Sequence, residues 1–255
     1  MRRLLVAGAL LASLVAAAAA TRPLWRAPDA GQVQAWLHAA ADRHDARAEA
    51  ALQRWSSRGA ADARQAYAAL LAHRDDAASR QHLEQVLGDG ADAGDAVAAT
   101  QLAEILVRKD ARASASRAGA GLRLADDARV ARLLAQGNAG HVPAASRLLA
   151  LRALDASQGT PDPVRAATLM AQAAEGGDAP AMFLYANMLR AGQGVARDDA
   201  RALALYQAAG DADYAPAIQA LTIAYRYGEL GLQADASQSR LMDHEAAEAL
   251  AHAAN

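Results

Sequence analysis

The chain has 255 residues, 53% of them hydrophobic but only 4% aromatic, with a single Phe, and most of the apolar content is alanine. Alanine is the best helix former, while strands favour β-branched and aromatic side chains, so the composition predicts an all-α protein and excludes a β-sandwich. A formal charge of −2 supplies no basic field for nucleic acid, and the lack of cysteine excludes disulfides, thiolate metal sites and thiol nucleophiles.

The first element is an address. Met1-Arg2-Arg3 is a short basic stretch, Leu4 to Ala20 is an apolar run, and Ala18-Ala19-Ala20 precedes Thr21-Arg22-Pro23. That order reads as a secretory signal over residues 1–20, cleaved after Ala20. A run of 17 residues rich in alanine is short for a membrane span, and an uncleaved inner-membrane anchor through residues 4–20 is the alternative. The expected location is the bacterial cell envelope, periplasmic if the signal is removed. Cleavage takes away Arg2 and Arg3 and leaves 24 basic against 28 acidic residues, a net −4. Residues 21–34 form an N-terminal extension, in which Trp25 packs on the following helices or meets a partner.

Residues 35–255 read as an array of helix pairs, A then B, degenerate over 35–135. Trp36-Leu37-His38-Ala39-Ala40-Ala41 stands 12 residues before Ala48, as Leu205 stands 12 before Ala217, and reads as a helix B. From Ala48, Leu52 at +4 and Gly59 at +11 match Tyr185 and Gly192 measured from Ala181. Trp36 and Trp55 are expected in the core. Ala98, Leu102 and Ile105 begin another helix A, and Asp126-Asp127-Ala128-Arg129 echoes Asp198-Asp199-Ala200-Arg201. The surplus over a regular period falls at Arg74–Ser79 and Asp110–Arg123, with Ala111 to Gly121 expected as a flexible loop because it lacks apolar periodicity. About five pairs are expected in all.

The clearest repeats lie over 140–235. Pro143-Ala144 and Leu148 start a helix A, 37 residues before Pro180-Ala181 and Tyr185. Pro180 and Pro216, Ala181 and Ala217, Tyr185 and Leu221, and Gly192 and Gly228 are 36 apart; so are Asp162 and Asp198, Arg165 and Arg201, Leu169 and Leu205, and Met170 and Tyr206. Proline in the first turn costs a helix nothing, because that N–H has no partner within the helix. Ala181, Leu184, Tyr185, Met188 and Leu189 make an apolar stripe at helical spacing. Gly192-Gln193-Gly194-Val195 stops helix A with a glycine C-cap, and Asp198 and Asp162-Pro163 cap the B helices. Helix B is expected over about Ala200 to Ala209, with Ala202, Leu205, Tyr206 and Ala209 inward. Residues 236–255 are a C-terminal capping helix with a polar outer face, which solenoids need.

The run Ala181…Tyr185-Ala186-Asn187-Met188-Leu189…Gly192-Gln193-Gly194-Val195…Asp198…Arg201-Ala202…Leu205-Tyr206…Ala209 resembles a Sel1-like repeat, of the tetratricopeptide-related kind. It departs from that pattern at Tyr185, Ala186 and Leu189 in helix A and at Arg201 and Leu205 in helix B, each swap keeping size class or charge. The resemblance implies an α/α solenoid, a right-handed superhelix of antiparallel helix pairs whose A helices line a concave, ligand-binding face.

Chemistry is sparse. The seven histidines, His38, His44, His73, His82, His141, His244 and His252, have no shared metal-ligand spacing and read as surface or capping residues. No nucleophile motif is present, Gly119 and Gly121 follow no strand, and Asp75-Asp76, Asp126-Asp127 and Asp198-Asp199 sit where carboxylates cap helices. No cofactor, metal or catalytic residue is assigned. On the implied inner face Arg190 and Arg226 are equivalent, at +9 from Ala181 and Ala217, and +6 holds Arg54, Glu104, Ala150, Asn187 and Ile223. Arg54, Asn187, Arg190 and Arg226 are the candidate partner-binding residues, the Arg pair gripping carboxylates or an extended peptide. The function expected is a non-catalytic scaffold or adaptor for a protein or peptide of the cell envelope. A cell-wall or β-lactam-acting enzyme is the alternative implied by disulfide-stapled relatives, whose cysteines this chain lacks, and a ligand-free spacer is another.

Overall fold

The computed structural model describes residues 27–115, 128–156 and 160–253. The signal or anchor over residues 1–20, Trp25, most of the expected loop and Asp126-Asp127 lie outside the described residues. Among those described there are twelve helices and no strand. The chain forms two compact units, divided between Val86 and Leu87.

The N-terminal unit contains α1 (Ala30–Arg43), α2 (Ala46–Ser57) and α3 (Ala61–Ala72), each packed on the other two. Helix α4 (Ala77–Asp92) spans the division. Residues 46–92 therefore hold three helices where one A/B pair with an insertion is expected. The apparent surplus at Arg74–Ser79 starts α4: the Ser79 N–H donates to Asp76 Oδ1 at 2.8 Å, an N-terminal cap. Arg74 is held by Glu49 of α2 through two hydrogen bonds of 2.8 and 2.7 Å. The core is built on Val33, Leu52, Tyr67 and Leu71. Trp36 and Trp55 are only half-buried, which corrects their placement in the core; Trp55 takes the Arg58 guanidinium over its ring at 5.2 Å.

The C-terminal unit contains α5 (Ala96–Ala115), α6 (Ala128–Ala139), α7 (Pro143–Leu154), α8 (Pro163–Glu175), α9 (Ala179–Ala191), α10 (Asp199–Asp211), α11 (Ala215–Tyr227) and α12 (Ala236–Ala253). Packing is most extensive within the pairs α5/α6, α7/α8, α9/α10 and α11/α12, and each pair also packs on the next. Helix α5 continues through Ala115, so the first residues of the expected loop are helical. Alanine there compensates for the missing apolar stripe.

The register of α7 differs from the sequence reading by one residue. Its N-cap is Val142, and the caps of α9 and α11 are Asp178 and Tyr214, so the caps recur every 36 residues. Pro143 is therefore the first helical residue, while Pro180 and Pro216 are the second. Ala145, not Ala144, matches Ala181 and Ala217, and all three are fully buried. The residue at +6 becomes Leu151; Ala150 falls at +5, buried like Ala186 and Thr222.

Alanines at the contact points, among them Ala166, Ala173, Ala202 and Ala209, let the helices approach closely around Met170, Tyr185, Leu189 and Tyr206. The turn after each helix A is tied by one backbone bond: the N–H of Asp162, Asp198 and Asp235 donates to the carbonyl of Ala153, Leu189 and Tyr225 at 2.8, 3.1 and 2.7 Å. Gly192 takes the left-handed C-cap at φ 67°. Gly194, at φ 71°, has a further reason to be glycine, because a Cβ there would run into the Pro163 carbonyl at the start of α8. Asp162 and Asp198 cap α8 and α10 by accepting from the Arg165 and Arg201 N–H, each at 2.9 Å. Five of the histidines serve locally: His38 and His73 donate from Nδ1 to carbonyls one turn back, at 2.9 and 2.8 Å, His82 packs edge-on to Tyr67, and His44 and His141 end helices with positive φ.

Candidate functional site

Helices α5, α7, α9 and α11 share one internal geometry. Counted from Ala98, Ala145, Ala181 and Ala217, which are buried, the residue at +5 is buried in all four, and on α9 and α11 the positions +6, +9 and +10 lie together on another side of the helix, three and four residues apart. On α9 these positions hold Asn187, Arg190 and Ala191; on α11 they hold Ile223, Arg226 and Tyr227.

Asn187, Arg190 and Arg226 all lie on this side, and each is engaged. The buried Tyr206 of α10 reaches out to donate its hydroxyl to Asn187 Oδ1 at 2.7 Å. Arg190 Nη1 meets Glu229 Oε2 at 3.4 Å. Arg226 Nη2 meets Asp243 Oδ2 at 2.8 Å, and its Nε donates to Ser239 Oγ at 3.3 Å. Burial pushes the Tyr206 hydroxyl up from its ordinary value, Arg190 pulls against that rise, and Glu229 adds to it. Asn187, Tyr206, Arg190 and Glu229 thus share one electrostatic neighbourhood. Beside it, Ile223 and Tyr227 are 45% and 68% exposed, large apolar groups in water. Arg54 is exposed in the last turn of α2 and belongs to the N-terminal unit.

Sequence reasoning expected a free Arg pair and missed its acidic partners. Glu229 directly follows the C-cap glycine of α11, and Asp243 lies on the capping helix, so neither stands at a repeating position. It also missed a polar chain joining three successive A helices. Arg147 of α7 donates from Nε to both carboxylate oxygens of Asp178, at 3.0 and 3.1 Å, and from Nη2 to Glu104 Oε1 of α5 at 3.1 Å. The 36-residue arithmetic could have found it. Arg147 and Asp178 are equivalent to Phe183 and Tyr214, which is a paired change from polar to aromatic.

The arrangement offers exposed apolar anchors and exchangeable charged hydrogen bonds, which suit binding. Among the described residues no three His, Asp or Glu side chains stand close enough to hold a metal ion, and no helix is long and apolar enough to cross a membrane.

No family sequence model and no curated protein matches the chain. Solved structures do. A Sel1 repeat protein from Oxalobacter formigenes superposes with a TM-score of 0.67 at 16% identity, covering 89% of this chain and 88% of its own. A protective antigen present in uropathogenic Escherichia coli strains, displaying an SLR fold, superposes with a TM-score of 0.52 at 20% identity; the match covers 86% of this chain and 42% of that one. The helix pairs, the recurring caps and these superpositions agree on one architecture: the chain has the Sel1-like repeat fold.

Proposed function

We propose that the chain is a non-catalytic scaffold that binds a protein or peptide along the A-helix side of its C-terminal unit, in the bacterial cell envelope. The observation that carries this reading is the placement of exposed Ile223 and Tyr227 on α11 beside the Arg226–Asp243 ion pair. Tyrosine and arginine dominate binding hot spots, because they bury large area and make directional hydrogen bonds. Exposed ion pairs contribute little to stability, on the order of 0–1 kcal/mol. A partner carboxylate can therefore displace Glu229 from Arg190 or Asp243 from Arg226 at small cost, and an arginine can take it with two parallel hydrogen bonds.

The envelope setting rests on Met1-Arg2-Arg3, the apolar run to Ala20 and the small residues that end it. Two experiments test the proposal. Crosslinking of the tagged protein in intact cells should recover one abundant partner, and Arg190→Glu with Arg226→Glu should lose it; unchanged adducts would remove these arginines from the interface. N-terminal sequencing of the protein recovered from the periplasm should start at Thr21, whereas an intact Met1 in the membrane fraction would favour the anchor.

A further inference from the structure

The 36-residue repeat sets three equivalent places side by side in the C-terminal unit. Each lies where a helix A meets the B helices before and after it. The inward position on helix A is Leu149, then Tyr185, then Leu221; the position in the first turn of the following helix B, also spaced by 36, is Arg165, then Arg201, then Ser237. In the middle place Tyr185 is buried and the Arg201 guanidinium lies over its ring, 5.2 Å from the centroid. That is a cation–π contact made within the chain. Ala167 of α8, in the same core, is buried.

One repeat earlier the ring is missing. Leu149 stands for Tyr185, and a cavity of 530 Å3 opens there, lined by Leu149, Ala131, Ala135, Asn138, Arg152 and Arg165 together with Asp155, Thr160 and Asp162. Its volume lies within the range of ligand pockets. Ala131 and Ala135, equivalent to Ala167 and Ala171, are correspondingly more exposed. The Arg165 guanidinium has neither a ring beneath it nor, among the described residues, an acceptor or ion-pair partner, although the Arg165 backbone N–H donates to the capping Asp162 carboxylate. One repeat later a second cavity, of 310 Å3, opens over Leu221 and contains no arginine among its lining residues. Only the first place therefore keeps the cation while lacking the ring.

We propose that the cavity over Leu149 is a receptor for one aromatic side chain of a partner polypeptide, held with its ring against the Arg165 guanidinium. The partner supplies in this repeat what Tyr185 supplies in the next. Tyrosine is the best-matched occupant, because its ring is the one the neighbouring repeat has already been shaped around, and Asn138 and Thr160 give its hydroxyl polar neighbours. The cavity is separate from the side bearing Arg190 and Arg226, so charge reversal at those two arginines leaves it intact.

The test is a titration of the full chain, methyl-labelled for NMR, with the capped pentapeptide Ala-Ala-Tyr-Ala-Ala and with its Ala-for-Tyr analogue. The expected result is saturable, millimolar binding of the tyrosine peptide alone, with ring-current shifts at the methyls of Leu149, Ala131 and Ala135. Leu149→Tyr copies the next repeat, fills the cavity from within and should abolish these shifts. Arg165→Gln should weaken binding by about 2- to 30-fold, the loss of one cation–π contact. Equal shifts from the alanine analogue, no saturable shift at all, or undiminished binding by either variant would overturn the proposal. Arg165→Gln changes an exposed side chain, so it decides the matter even if Leu149→Tyr disturbs folding.

Discussion

Arg147 and Asp178 join α7 to α9 through a bifurcated hydrogen bond from Nε to both carboxylate oxygens at 3.0 and 3.1 Å, and the equivalent positions one repeat later hold Phe183 and Tyr214, whose rings pack edge to face at 5.7 Å. The same junction is thus closed once by charge and once by aromatic contact. The charged version is well shielded, with side-chain exposure of 17% for Arg147 and 9% for Asp178. Removing Arg147 leaves the shielded Asp178 and Glu104 carboxylates without their counter-ion, whereas removing Asp178 leaves Arg147 paired with Glu104 alone. Arg147→Ala should cost about 2–3 kcal/mol in urea unfolding. Asp178→Ala should cost about 1 kcal/mol more, because Asp178 Oδ1 also caps α9 through the Ala181 N–H at 2.8 Å. The double change Arg147→Phe with Asp178→Tyr should recover part of that loss. A double variant no better than the singles would mean that the two junctions are not interchangeable.

The two glycines of the α9–α10 turn should respond differently to alanine. Gly192 needs only its positive φ, since nothing crowds its Cβ position closer than 3.7 Å. Gly192→Ala should therefore cost about 1–2 kcal/mol, the penalty for an L residue in the left-handed region. Gly194→Ala meets the same penalty and also the backbone of Pro163, so it should cost clearly more. Equal melting temperatures for the two variants would refute the close approach.

Raising the pH should destabilise the chain above the ordinary tyrosine range. Burial raises the hydroxyls of both Tyr206 and Tyr67. The folded protein then holds these protons more tightly than the unfolded chain, so the stabilisation they carry is complete below about pH 10 and is lost as pH rises through the folded values. Tyr206→Phe should lose about 1 kcal/mol at neutral pH, from the hydrogen bond to Asn187. The same variant should show a shallower decline in alkali. A decline as steep as that of the unaltered chain would assign the effect elsewhere.

In the N-terminal unit the sign is opposite. The Arg74 hydrogen bond lowers the Glu49 carboxyl below its usual value, against the opposing effect of burial. That stabilisation is present above the unfolded carboxylate range and disappears as pH falls through the lowered value. Both side chains are about a third exposed, so solvent screening limits Glu49→Gln to at most about 1 kcal/mol near pH 7. As pH falls through that lowered value, the unfolding of the variant and of the unaltered chain should converge.

Much of the fold was legible because its signals are local. Asp162-Pro163, Asp178 with Pro180, Asp198 and Gly192 announce helix ends by backbone chemistry that needs no tertiary context. The register of α7 was not legible, because proline fits both the first and the second helical position and cannot by itself distinguish them. The third helix of residues 46–92 was hidden for a related reason. Arg74-Asp75-Asp76 is polar like a loop, yet Asp76 is a cap. At the candidate site the positions of Asn187, Arg190 and Arg226 followed from the period. Their partners did not, because Tyr206, Glu229, Asp243 and Ser239 reach them from different elements. The vacancy over Leu149 is visible in sequence only after Tyr185 and Arg201 are known to touch.

The central claim is that the side of the array bearing Ile223 and Tyr227 holds a partner. A photocrosslinking residue placed at Ile223, and separately at exposed Ala204 of α10, tests it most directly in intact cells. The account predicts one dominant adduct from position 223 that is lost with Arg190→Glu and Arg226→Glu, and no such adduct from position 204. The same adducts from both positions, or none from 223, would contradict it.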